Sequence, residues 1–187
     1  MKILLHVCCG PCSIYPVETL RQAGHEIRGY FYNPNIHPYT EFTKRLETFT
    51  EYAQKIELPV ILDEQYALEE FLRSVVFREG ERCRICYSSR LKKAAQIAKQ
   101  GKFDAFTTTL LVSPFQKHEL IKEIASSIAI ETEVPFYYED FRAGFKEGVL
   151  KSKEEKMYRQ QYCGCIFSEK ERYYSRKRAK RNSVGGC

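Results

Sequence analysis

Seven of the eight cysteines in this chain fall into three tight groups: Cys8-Cys9-Gly10-Pro11-Cys12, Cys83-Arg84-Ile85-Cys86 and Cys163-Gly164-Cys165. A structural zinc takes four ligands, and an iron–sulfur cluster usually takes four cysteines. Seven thiols exceed the need of one such centre, and the surplus points to thiols that take part in chemistry. In Cys83-x-x-Cys86 the two-residue gap lets both sulfurs reach one ion or one cluster face. Alone, that pair reads as zinc, iron–sulfur or redox dithiol, although it does not open a helix after the first strands as the redox motif does. Cys8 and Cys9 are adjacent, so on an extended backbone their side chains point apart. Both reach one metal only if the Gly10-Pro11 turn bends the chain; otherwise they serve two metals. Cys12 lies near the start of the first helix, where the dipole and free amides lower a thiol's pKa. Any one of these cysteines could be an ordinary core residue, but five at such spacings argue against that reading for the set. Cys163-Gly164-Cys165 fits a metal pair, a relay dithiol or a structural turn. Cys187, after Gly185-Gly186, reads as a tail thiol.

Other reactive side chains are fewer. Of the four histidines, His6 sits in an apolar run and reads as a hydrogen-bonded core residue. His37 and His118 fall in or beside loops that follow strands, where an acid, a base or a substrate contact would belong. A Gly-rich phosphate loop is missing after the first strand: the turn has one glycine, Gly10, and a proline that donates no amide. Cysteines stand where a phosphate would sit.

These loops need a scaffold. Ile3–Val7 reads as a buried strand, Ile14–Ala23 as a helix capped by Ser13, and Glu26–Tyr32 as a second strand broken by Asn33-Pro34-Asn35. Thr40–Ile56 is an amphipathic helix, with Phe42, Leu46, Phe49, Tyr52, Ala53 and Ile56 at helical spacing. Pro59–Leu62 reads as a strand and Tyr66–Phe77 as a helix. Arg82–Cys86 then reads as a turn before a helix over Ser88–Lys99. A strand over Phe103–Thr109, helices within Pro114–Ile130 and over Glu147–Gln161, and a short run at Val134–Tyr138 complete the pattern. Alternation of strands with helices predicts an α/β fold, a doubly wound parallel sheet with an α-helical C-terminal part. Such sheets bind ligands at the carboxyl ends of their strands. Three loops, beginning at Cys8, Asn33 and Thr107, are expected to converge there.

Composition sets the frame. The 187 residues suffice for one domain with its own core. No stretch is long and apolar enough for a membrane span, and the N-terminus lacks a signal-peptide pattern. A cytoplasmic location is expected, where thiols stay reduced and clustered cysteines signal metal or redox chemistry. The net charge of +6 equals that of Lys170–Arg181, which holds seven basic residues and one acid. Residues 1–169 therefore read as a neutral catalytic domain and 170–187 as a basic tail. The tail suits an anionic partner such as nucleic acid, or simply solvation.

Five ordered motifs carry a resemblance. They are His6-Val7-Cys8-Cys9-Gly10-Pro11-Cys12-Ser13, Arg82-Cys83-Arg84-Ile85-Cys86-Tyr87, Phe106-Thr107-Thr108-Thr109-Leu110-Leu111-Val112-Ser113-Pro114, Asp140-Phe141-Arg142-Ala143-Gly144-Phe145 and Tyr158-Arg159-Gln160-Gln161-Tyr162-Cys163-Gly164-Cys165. Together they resemble the epoxyqueuosine reductases of the QueH type over about residues 3–170. The resemblance implies a Rossmann-like fold akin to the nucleotide-hydrolase-like (HUP) group. It implies two-electron deoxygenation of epoxyqueuosine at the tRNA wobble position, giving queuosine and water. It also implies a [4Fe-4S] cluster with an additional iron beside it, no cobalamin, and an electron donor that the sequence does not identify. On this basis Cys9, Cys83 and Cys86, with Cys8, are expected to bind the cluster. Cys8 and Cys12 complete it or hold the second metal, and Cys163 and Cys165 belong to the metal-binding set. His37 and Asp140 are the candidate proton donors. Two other readings stay open: a zinc-stabilised nucleic-acid-binding module, and a tRNA thiolase on the same scaffold.

Overall fold

A computed structural model describes residues 1–174. Four strands, β1 (Lys2–Val7), β2 (Glu26–Phe31), β3 (Val60–Leu62) and β4 (Ala105–Thr108), form one parallel sheet in the order β3-β2-β1-β4. Beyond β4, Phe136 makes a single parallel bridge to Phe106. Central β1 has Ile3, Leu4, Leu5 and Val7 fully buried, as a parallel strand covered on both faces requires. Each such side chain contributes about 1.5–3 kcal/mol. Its one interior polar residue, His6, is satisfied: the ring meets Thr108 Oγ1 at 2.9 Å and the Tyr32 carbonyl at 3.1 Å. Burial, with Arg90 adding to it, lowers its pKa to about 3, so it stays neutral.

Helices α1 (Gly10–Gln22) and α2 (Tyr39–Lys55) make the two crossovers toward β3, and α3 (Leu68–Val75) follows β3. The chain then returns through α4 (Arg82–Gln100) to β4 on the other side of β1, followed by α5 (His118–Thr132) and α6 (Phe145–Glu154). Right-handed crossovers run in opposite directions from β1, so they place the helices on opposite faces of the sheet. Accordingly α1 packs with α2 and α6, while α4 packs with α5. The direction reverses between β1 and β4, which puts the topological switch point at their carboxyl ends.

Four local expectations are corrected. Helix α1 begins at Gly10, and its N-cap is Cys9. Ser13 lies within the first turn, where its hydroxyl donates to the Gly10 carbonyl at 2.7 Å. Arg82–Cys86 is the first turn of α4 and not a separate loop. The last strand ends at Thr108, and Thr109–Val112 winds as a 3₁₀ turn. Helix α6 stops at Glu154, just before Lys156 takes a left-handed conformation (φ 53°). Residues 157–165 run as irregular chain over the site, and the chain is helical again over 166–174. Most of the basic segment, with Cys187, lies outside the described residues. No helix among the described residues is long and apolar enough to cross a membrane.

Candidate metal centre and its cavity

The switch point brings the first cysteine group together. Cys8, Cys9 and Cys12 present three sulfurs that all lie within 4.8 Å of one another, and those of Cys8 and Cys9 are 3.8 Å apart. The bend comes from the start of α1. Gly10 lies so close to α2 that an added Cβ would meet Met157 Cε at 2.7 Å and the Thr48 carbonyl at 3.1 Å. Across the switch point, the Cys8 amide donates to Thr109 Oγ1 (3.1 Å), and the Thr109 hydroxyl donates to Cys8 Sγ (3.4 Å).

The three thiols differ in acidity. Hydrogen bonding from Cys12 and Cys9 holds the Cys8 thiol well below its ordinary value, with Thr109 and Arg90 helping against burial. Burial raises Cys9, and the neighbouring Cys8 and Cys9 raise Cys12. Cys8 is thus the first thiolate of the trio, at the positive end of α1.

The second group forms beside it. Cys83 and Cys86 lie in the first turn of α4. Cys86 packs with Cys165, Phe71 and Val75 in a small apolar cluster. Burial pushes the Cys86 thiol up to about 12, with Cys163, Cys165 and Cys83 acting in the same direction. Burial likewise raises Cys83, and Cys163 and Cys165 add to it. Seven described cysteines are free.

Two buried arginines join the groups, and the sequence reading passed over both. Arg90 is 2% exposed. It donates to Cys86 Sγ (3.0 Å), to the Cys86 carbonyl (3.3 Å) and to Asn33 Oδ1 (3.4 Å), and none of these is a carboxylate. Burial works against its charge, yet Cys86, Cys163 and Cys8 raise its pKa on balance. A buried guanidinium calls for a counter-charge, and the ionisable groups that act on Arg90 are cysteines of all three groups, Cys86, Cys163 and Cys8. Arg45 pairs with Glu41 at 2.6 Å and donates to the carbonyls of Cys163 and Tyr162, each at 3.0 Å. It thereby ties the third cysteine group to α2. Glu41 also accepts from Tyr158. The missed signal was a basic residue on an apolar helical stripe: Arg45 lies between Phe42 and Phe49, and Arg90 lies beside Leu91 at the fourth position after Cys86.

A cavity of about 770 Å³ opens over the trio, with Cys8, Cys12 and Cys163 in its wall. The Gln160 amide donates to Cys12 Sγ at 3.5 Å and the Gln116 amide to Cys163 Sγ at 3.3 Å. Arg159 and Arg172 also line it. His37 and Asp140 lie elsewhere. His37 is 1% exposed, packs against Tyr66 and Phe71, and has a pKa lowered by burial to about 4. Among the described residues, neither ring nitrogen makes a hydrogen bond of good geometry. Asp140 is held at about 2, chiefly by its hydrogen bonds from Arg142. Of the remaining histidines, His118 meets the Tyr138 hydroxyl at 3.1 Å.

Comparison with known proteins fixes the lineage of this arrangement. The family model described as epoxyqueuosine reductase QueH matches residues 3–171, which takes in all seven clustered cysteines and both arginines. The chain belongs to the QueH family. Epoxyqueuosine reductase QueH of Dehalococcoides mccartyi is 37% identical over 92% of this chain and 94% of its own length. That of Thermotoga maritima is 38% identical, over 94% of this chain and 97% of its own. The Streptococcus pyogenes relative is 33% identical, over 90% and 71%. QueH relatives are named as reductases, and this chain is an oxidoreductase of tRNA queuosine biosynthesis. The fold alone is shared with a predicted tRNA methyltransferase subunit of Methanocaldococcus jannaschii. That match has a TM-score of 0.57 and 12% identity, covering 82% of this chain and 75% of the other.

Proposed function

We propose that this chain removes the epoxide oxygen of epoxyqueuosine in tRNA, at the wobble position, consuming two electrons and two protons and releasing queuosine and water. The observation that carries this reading is the Cys8–Cys9–Cys12 trio at a helix N-terminus, with Cys8 and Cys12 in the wall of a cavity large enough for a nucleoside. The donor set fits a thiolate-bound metal, because Arg90 already supplies buried positive charge to sulfur on two sides. We assign the trio to one centre. Cys83 and Cys86, with Cys163 and Cys165, serve the other. One centre is a [4Fe-4S] cluster and its neighbour an iron. This partition differs from the expected cluster set of Cys8, Cys9, Cys83 and Cys86, and it rests on the spacing of the trio and the shared packing of Cys86 with Cys165.

When bound, such centres supply electrons and Lewis acidity at the epoxide. The chain's own residues do the rest. Arg45 eases deprotonation of Cys9 and Arg90 that of Cys8 and Cys86, and Gln116 and Gln160 orient Cys163 and Cys12. Arg159 and Arg172 attract the phosphates of the tRNA, the term that dominates nucleic-acid affinity. Free thiols and a tRNA substrate together support a cytoplasmic location.

The test is anaerobic incubation of the iron-loaded protein with epoxyqueuosine-containing tRNA and a chemical reductant, followed by nucleoside mass analysis. Loss of one oxygen from the nucleoside is expected; an unchanged nucleoside with a fully loaded protein overturns the reading. Proton delivery has its own test. A general acid contributes about 10²–10⁴-fold to rate. Asp140 is already ionised by Arg142 and lies outside the cavity wall. Asp140→Asn is therefore expected to leave turnover within about threefold, far from the loss of an acid, as measured by initial rates.

A further inference from the structure

The rim of the cavity holds a feature that the metal chemistry does not use. Phe115 is 85% exposed, and its ring stands edge-on to Phe145, with centroids 5.8 Å apart and planes at 81°. Both rings belong to the cavity wall. Other exposed apolar side chains, such as Phe77 and Ile130, lie outside it, and single residues of that kind are ordinary.

The turn carrying Phe115 is pinned at every step. Its amide donates to Ser113 Oγ (3.3 Å), and the Gln116 amide donates to the Ser113 carbonyl (3.2 Å). The Tyr87 hydroxyl donates to Gln116 Oε1 (2.7 Å) and accepts from the Lys117 amide (3.3 Å). Gln116 reaches Cys163 Sγ as well. An aromatic ring is thus presented to solvent on a rigid support, at the mouth of a cavity lined by Arg159 and Arg172.

We propose that Phe115, backed by Phe145, is a stacking shelf for an RNA base next to the modified nucleotide. The inference rests on the tRNA reading above and adds a subsite to it. A nucleotide whose base must enter the cavity leaves its place in the anticodon-loop stack, and its neighbour loses a stacking partner. An exposed aromatic face replaces that partner, while Arg159 and Arg172, in the same cavity wall, attract the backbone. This is how single-stranded RNA is commonly bound. The shelf reads no particular base, since every base offers a π-face.

The test is a binding cycle on a synthetic anticodon stem-loop carrying epoxyqueuosine, and on two versions lacking the base 5′ or 3′ of it. Phe115→Ala is expected to weaken binding of the intact loop about 10- to 100-fold, with kcat at saturation unchanged and binding restored in Phe115→Trp. Removing the stacked base should weaken the wild-type complex by a similar factor and the Phe115→Ala complex hardly at all, because the two changes delete one contact. Equal binding by Phe115→Ala and wild type, or losses that simply multiply at both flanks, overturns the shelf. Wild-type protein that neither binds nor deoxygenates the intact loop overturns the tRNA reading and the shelf with it. Wild-type turnover with an indifferent Phe115→Ala overturns the shelf alone. Phe115 is exposed, so the variant folds as the parent does.

Discussion

Cys8→Ala is expected to lower turnover by more than about 100-fold, beyond the cost of losing an outer partner of a metal ligand. Part of the bound iron should leave with it. The reasoning starts from acidity. Cys8 is the thiol of the trio held below its ordinary pKa, and the other two are held above theirs. Metal binding requires deprotonated ligands, so Cys8 supplies the first anion, and its neighbours lose their protons only as the metal arrives. Cys83→Ala should remove metal from the other centre together with turnover, and where that centre is the cluster it should remove sulfide and the visible absorption as well. Iron and sulfide analysis of anaerobically purified variants separates the two. Complete iron loading in either variant would sink the corresponding ligand assignment. Loss of fold is not the confounder, since trimming one buried sulfur costs about 1 kcal/mol.

The second large effect is expected at Arg90. Arg90→Gln should reduce metal affinity about 10- to 100-fold, the usual cost of losing a hydrogen-bonded partner of a metal ligand. It should also lower the reduction potential of the centre that remains. The guanidinium donates to Cys86 Sγ and stabilises negative charge on the sulfurs of both groups. Reduction adds negative charge, so removing this cation disfavours the reduced state. Arg90→Lys should recover part of the potential by keeping the charge. It should not restore the full affinity, because an ammonium cannot reproduce the three-acceptor fork. A redox titration followed by iron analysis reads both quantities. An unchanged potential in Arg90→Gln would show that Arg90 serves packing alone.

The sheet and the first cysteine group were legible for a simple reason. The apolar run of β1 stops at Val7, and the thiols begin at the next residue, where a parallel sheet exposes its carboxyl ends. The start of α4 was not legible. Its N-cap, Glu81, makes no side-chain capping bond, so the usual Ser, Thr, Asp or Asn signal is missing. The end of α6 was hidden for a related reason. Residues 150–161 contain no glycine or proline, and the helix is ended by the left-handed Lys156. The arginines escaped notice because periodicity counts apolar positions. A charge on the buried stripe registers as a gap in the pattern, although in this chain it is half of the site.

The loop of Gly164 carries one more consequence. Gly164 takes φ 142°, its carbonyl accepts from the His37 amide (2.8 Å), and an added Cβ would press on Asn35, Ile36 and Arg45 at 3.2–3.3 Å. The cavity wall therefore joins Cys8, made first on the ribosome, to Cys163, made near the end of the matched region. Closing so long a loop is an entropic cost met only by a nearly finished chain. Synthesis order thus separates the two halves of the site: a chain terminated before residue 163 already holds the Cys8–Cys9–Cys12 trio but lacks Cys163 and Cys165, so the thiol wall of the cavity closes only when the last cysteine group has been made.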